Sequence, residues 1–121
     1  MTLPKRPSRN SGRIKNTRAC LPHQRWVRGF ACSSCGKEPG DRFNPIEFAH
    51  VRLGTGGGMG LLPSDRWGVS LCADCHRRRG DAQHNRGERT FWRKLGVEDP
   101  KALATEFARK SPHWPKLRDM P

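Results

Sequence analysis

Apolar positions along this chain come in short, separated groups, and the period changes from one group to the next. Trp26, Val27 and Phe30 fit one side of a short helix that Pro22 opens and Gly29 closes. Two strand-like runs follow, "IEFAHV" at 46–51 and "WGVSL" at 67–71, on either side of the glycine-rich stretch "GTGGGMG" at 54–60. After Cys72 the pattern turns helical, with breaks expected at Gly80 and Gly87. It resumes in "ERTFWRKLG" at 88–96 and in "DPKALATEFARK" at 99–110, where Asp99 and Pro100 suit the N-cap and the first helical residue. The predicted order is a helix, a β-loop-β unit and a run of helices, an α+β arrangement in one small domain. The last ten residues contain three prolines and are expected as tail, the whole segment being 111–121.

Composition changes this picture in two ways. A chain of 121 residues with 33% hydrophobic content buries a thin core, so a covalent or metal staple is expected. Lys and Arg number 24 against 11 Asp and Glu, a formal net charge of +13, which favours a polyanionic partner because clustered cations release counterions from phosphates. Residues 1–19 carry Lys5, Arg6, Arg9, Arg13, Lys15 and Arg18, no acid and little that is apolar, and are expected as a mobile basic arm. No apolar run reaches the ~18 residues of a membrane span and the N-terminal stretch lacks a signal-like core, so a cytoplasmic protein is expected.

The staple is read from cysteine spacing. "CSSC" at 32–35 and "CADC" at 72–75 form a paired Cys-x-x-Cys set, in which each tight turn offers two thiolates to two corners of a tetrahedron. Cys32, Cys35, Cys72 and Cys75 are therefore expected to hold a structural Zn²⁺. Positions 36–71 between the pairs exceed a simple zinc ribbon, so the metal is expected to clamp a whole substructure. Cys20 stands alone and is expected as a partly buried thiol without chemistry.

Three histidines complete the frame. A Cys-x-x-Cys pair, His50 at a strand end, a turn, Asp65 before a short apolar strand, and "LCADCH" ending in His76 follow the order of the ββα-metal nucleases of the HNH class. The chain most resembles the small phage and prophage type, which includes recombination-enhancing nucleases, on "AHVRLGTGGGMG", "LLPSD", "VSLC", "CADCH" and "GERTFW". The resemblance covers roughly residues 20–110. It implies a metal-dependent endonuclease acting on DNA, single-stranded forms and recombination intermediates included, in a bacterial host. His50 is the candidate general base, its neutral imidazole suiting proton abstraction from water at cellular pH. His76 and His84 are candidate ligands of a catalytic Mg²⁺ or Mn²⁺. Asp65 either orients His50 or caps a turn. Arg52, Arg77, Arg78 and Arg79 are candidate phosphate contacts.

Three departures from the HNH pattern sharpen these expectations. Many such sites place an acidic metal ligand directly before the base, but that position is Ala49, and Glu47 on a regular strand faces away from His50. His84 lies eight residues after His76, about 12 Å of rise on a continuous helix, so both can reach one ion only if the helix breaks near Gly80. Leu62 stands where similar proteins often carry Lys. The rival to a nuclease is a non-catalytic, zinc-stapled nucleic-acid-binding module, which accounts for the cysteines and the charge but not for the placement of three histidines.

Overall fold

The computed structural model describes residues 18–55 and 62–121. Nearly all of the basic arm, and the glycine loop from residue 56 with Met59, fall outside the described residues. Helix α1 (Leu21–Val27) starts with Pro22 in its first turn, as the sequence predicts. It buries His23 and Val27, one turn apart. Trp26 is half-buried and meets Phe30 edge-on at 4.7 Å, and Phe30 meets Phe107 at 5.6 Å.

Strands β1 (Ile46–His50) and β2 (Gly68–Cys72) pair antiparallel, with Ile46 opposite Cys72 and His50 opposite Gly68. Alternation then sorts their side chains. Ala49, Val69 and Leu71 join Val51, Phe91, Trp92 and Ala104 in the main core, while Phe48 stands edge-on against His23 of α1 at 5.9 Å. Gly68 is required by this packing: a Cβ there would lie 1.9 Å from Cζ of Phe48. The absent side chain lets the Phe48 ring lie across the strand beside His50, with ring centroids 5.1 Å apart.

Beyond β2 the chain makes a π-helical turn, Asp74–Arg78, closed by a bond from the Arg79 N–H to the Asp74 carbonyl at 3.1 Å. Such wide turns occur often at functional sites because they re-aim a side chain. Arg79 is extended (φ −76, ψ 154), and α2 (Gln83–Arg86), α3 (Glu88–Lys94) and α4 (Pro100–Lys110) follow. The break therefore falls where the sequence places it, although not because of Gly80. That glycine has no positive φ, and a Cβ there would meet nothing. Instead the Asn85 amide donates to the carbonyls of Arg77 (2.8 Å) and Arg79 (2.7 Å), capping the turn and folding α2 back over it. Gly87, at φ 96, does need its freedom, between α2 and α3. At α4, Asp99 accepts the Ala102 N–H at 3.2 Å and Pro100 occupies the first turn, as expected.

The expected tail at 111–121 is instead part of the fold. Helix α5 (Trp114–Leu117) buries Leu117 completely, in a second core with Cys20, Ala108 and Met120. The Trp67 indole N–H donates to the Pro121 carbonyl at 2.9 Å, and the Arg66 guanidinium lies over the rings of Trp67 and Trp114. Three prolines suggested a tail, but Leu117 and Met120 supply apolar surface that the small main core leaves room to bury. Cys20 is fully buried in this cluster rather than partly so. Among the described residues no helix is long and apolar enough to cross a membrane.

Candidate functional site

The four cysteines of the paired motif converge. Their Sγ atoms all lie within 4.8 Å of one another, and Cys35 and Cys72 are 3.8 Å apart. A tetrahedron with metal–sulfur arms of about 2.3 Å has edges of about 3.8 Å, so the cluster can hold a metal ion such as zinc. No disulfide joins them. The first turn is shaped for ligation: the N–H groups of Ser34 and Cys35 point at Cys32 Sγ (3.4 and 3.5 Å), and Gly36 turns the chain at φ 77. The Ser33 N–H bonds the Ser70 carbonyl at 2.8 Å, which ties this turn to β2. Burial pushes the Cys75 and Cys35 thiols up, whereas at Cys32 the N–H donors outweigh burial and hold the thiol down. Sulfurs this close are thiolates together only with a cation among them. Both strands lie between the two pairs, so a metal here clamps the β-loop-β unit, as the long spacing suggested.

His50 ends β1 and is held from one side. Its Nε2 lies 2.9 Å from Asp65 Oδ1, while Asp65 Oδ2 accepts the Cys20 N–H (2.6 Å) and the Gln24 side-chain amide (2.7 Å). The Asp65 N–H in turn donates to the Arg18 carbonyl at 2.8 Å. Asp65 is 3% exposed. Burial resists its ionisation, but the His50 contact and the two N–H donors outweigh it and hold the carboxyl below the usual carboxylate range. Of the two roles open to Asp65, the contact made is the one that orients His50.

His76 and His84, eight residues apart, meet with ring centroids 4.4 Å apart at an interplanar angle of 68°. The extended residue Arg79 and the Asn85 cap bring this about. His76 Nδ1 lies 2.8 Å from Glu47 Oε1, and Arg77 binds the same carboxylate through Nη2 at 2.8 Å and Nε at 3.0 Å. Glu47 faces away from His50, as strand alternation requires, and what it faces is His76. Burial raises its carboxyl, but Arg77 and His76 outweigh it and hold the group low. Partial desolvation lowers the His84 pKa, and the neighbouring His76 and Arg52 lower it further, against an upward pull from Glu47.

His50 and His84 line one cleft of about 340 Å³ together with Arg52, Gln83, Gly87 and Glu88. The Glu88 carboxylate accepts the Arg52 N–H with both oxygens (2.9 and 3.0 Å), fixing the chain just after His50, and Gln83 donates to the His50 carbonyl at 3.1 Å. The candidate phosphate contacts differ in their freedom. Arg52 is exposed at the rim, whereas Arg77 pairs with Glu47, Arg78 with Asp74 (3.8 Å) and Arg79 with Asp81 (3.3 Å). Among the described residues the cysteines are the one group of three or more potential ligand side chains whose donor atoms converge, so the paired imidazoles make a two-donor site. Sequence reasoning did not reach Gln24, Asn85 or Glu88. Gln24 and Glu88 act across 41 and 36 residues and Asn85 across six and eight, through side-chain hydrogen bonds for which the sequence carries no periodic signal. No protein-family model, curated protein or solved structure matches this chain.

Proposed function

We propose that this chain is a metal-dependent endonuclease of the ββα-metal (HNH) kind that hydrolyses phosphodiester bonds of DNA, and that its cysteine cluster carries a structural zinc. The observation that carries this reading is the pairing of a strand-end imidazole with a buried carboxylate. An ionised Asp65 can only accept, so the proton on His50 sits at Nε2, and Nδ1 keeps the lone pair that takes a proton from water. The cleft that His50 lines also receives His84, and His84 abuts His76. Two imidazoles at right angles on one ion place their centroids about 4.5 Å apart, close to the separation found here. His76 and His84 thus fit a divalent cation, Mg²⁺ or Mn²⁺, with water and phosphate oxygens completing its shell. A cation held there would offset charge building on the scissile phosphate and the departing oxygen. The net charge of +13 supports a polyanionic substrate.

The test is incubation of the purified, zinc-loaded protein with supercoiled plasmid and with single-stranded circles, with and without added Mg²⁺ or Mn²⁺. Cleavage that depends on the added ion is expected. His50→Ala should lower it by ~10² to 10⁴ while zinc content and DNA affinity stay near wild type. If wild-type protein binds DNA yet cuts neither substrate with either ion, and His50→Ala behaves identically, the chain is a zinc-stapled binding module and not a nuclease.

A further inference from the structure

We infer that Glu47 is a positioning residue for His76, fixing which ring nitrogen that histidine offers to a cation, and that Arg77 serves this pair instead of a phosphate. The inference rests on the divalent-ion reading of His76 and His84 given above. Glu47 is the acid nearest to His50 in sequence and would be the obvious candidate for a direct ligand. Its oxygens are committed elsewhere. Oε1 faces His76 Nδ1 at 2.8 Å and Arg77 Nε at 3.0 Å, and Oε2 takes Arg77 Nη2 at 2.8 Å and Nε at 3.2 Å. Binding an ion directly would break these contacts, whereas holding the ring keeps all of them.

The chemistry of the acceptor then decides the tautomer. A carboxylate accepts and cannot donate, so His76 carries its proton at Nδ1 and presents the Nε2 lone pair. A carboxylate on the far nitrogen of a ligating histidine also raises the basicity of the near one and locks the ring plane. Arg77 engages both oxygens of Glu47, and it reaches there because the π-helical turn places His76 and Arg77 side by side over the strand. The site thus holds two carboxylate–imidazole pairs, Asp65 with His50 and Glu47 with His76, on opposite faces of β1. The first leaves Nδ1 free and the second leaves Nε2 free.

The experiment measures Mn²⁺ binding to zinc-loaded protein by calorimetry, and the His76 tautomer by ¹⁵N NMR before any Mn²⁺ is added. The wild-type ring should be protonated at Nδ1. Glu47→Ala should weaken Mn²⁺ binding 10- to 100-fold and leave His76 as a mixture of tautomers. Glu47→Gln, which keeps an acceptor oxygen, should retain the tautomer and recover most of the affinity. Unchanged zinc content and circular dichroism report that a variant is folded, and if Glu47→Ala is not, Glu47→Gln and the wild-type spectrum decide. The inference is overturned if wild-type His76 is protonated at Nε2, if wild type binds no Mn²⁺, or if Glu47→Ala binds it as wild type does. A Glu47→Gln protein as weak as Glu47→Ala, with the tautomer unchanged, makes Glu47 a direct ligand and also overturns it. Wild-type protein that binds Mn²⁺ with the expected tautomer but cuts no DNA would sink the nuclease and leave the positioning role standing.

Discussion

His23 lies fully buried under α1, its Nδ1 2.9 Å from Ser111 Oγ and its Nε2 without a hydrogen-bond partner among the described residues. Burial lowers its pKa from 6.5 to about 4, Asp65 pulling it back up and His113 pushing it further down. The folded state therefore prefers the neutral ring, and the unfolded chain takes up the proton first. Stability is complete above the unfolded value of 6.5 and falls with pH until the folded value near 4 is reached. A difference of about 2.5 units corresponds to roughly 3 kcal/mol in all, of which about 2.5 kcal/mol is lost between pH 7 and pH 4.5. That is a large part of the stability of a domain this small. The check is urea denaturation of wild type and His23→Gln at both pH values, since the amide can bond Ser111 and does not titrate. At pH 7 the variant should be the less stable, and at pH 4.5 the gap should move by about 2.5 kcal/mol in its favour. Acid effects on the cysteine cluster are common to both proteins and cancel in the difference. Parallel pH profiles would refute the reasoning. The consequence reaches the cleft, because α1 carries Gln24 and follows Cys20, two of the donors that hold Asp65 against His50.

Other consequences follow from the same structure. Cys72→Ser removes one corner of the metal cluster, and since a structural zinc supplies on the order of 10 kcal/mol at neutral pH, the protein should lose zinc by elemental analysis and lose its cooperative melt. Leu117→Ala empties a fully buried position in the second core and should cost about 2–5 kcal/mol in chemical denaturation, against almost nothing if 111–121 were a tail. Deleting residues 1–17, which spares Arg18 and its bond to the Asp65 N–H, removes five cations and should weaken DNA binding while flattening its salt dependence, by ~0.9 in log–log slope for every phosphate that the arm neutralises. An unchanged slope would show that the arm touches no phosphate.

What the sequence revealed depended on how local the signal was. Both strands, the Pro22 and Asp99 starts of α1 and α4, and each Cys-x-x-Cys turn rest on spacings within a few residues, and the structure has them, with the two cysteine pairs brought together. The meeting of His76 and His84 was legible only as a condition, that the helix break, and its cause was assigned to the wrong residue. A glycine is a visible breaker, whereas Asn85 acts by donating across six and eight residues to carbonyls that no pattern marks. The burial of His23 was not legible either. A lone histidine in a helix reads as surface until its neighbours Trp26, Phe48 and Ser111 are seen around it. The tail is the reverse case: prolines are the visible signal at 111–121, whereas Leu117 and Met120 count only once the second core closes around them.

The distribution of charge bears on how a polyanion would be held. The run Arg77–Arg78–Arg79 invites a phosphate grip, yet each of the three lies beside an acid, Glu47, Asp74 and Asp81 in turn. The last two pairs are exposed and worth little, so those cations exchange readily for a phosphate, while Arg77 also holds the Glu47–His76 contact. The excess of 24 cations over 11 acids must therefore be carried largely by other residues. On α2 and α3, Arg86, Arg89, Arg93 and Lys94 are all exposed, and Arg52 stands at the cleft rim beside Glu88. Exposed cations of this kind raise the local concentration of a polyanion without fixing its register. If a strand is brought to His50, the exposed cations of α2 and α3 can attract it, while Arg77 stays with the Glu47–His76 contact.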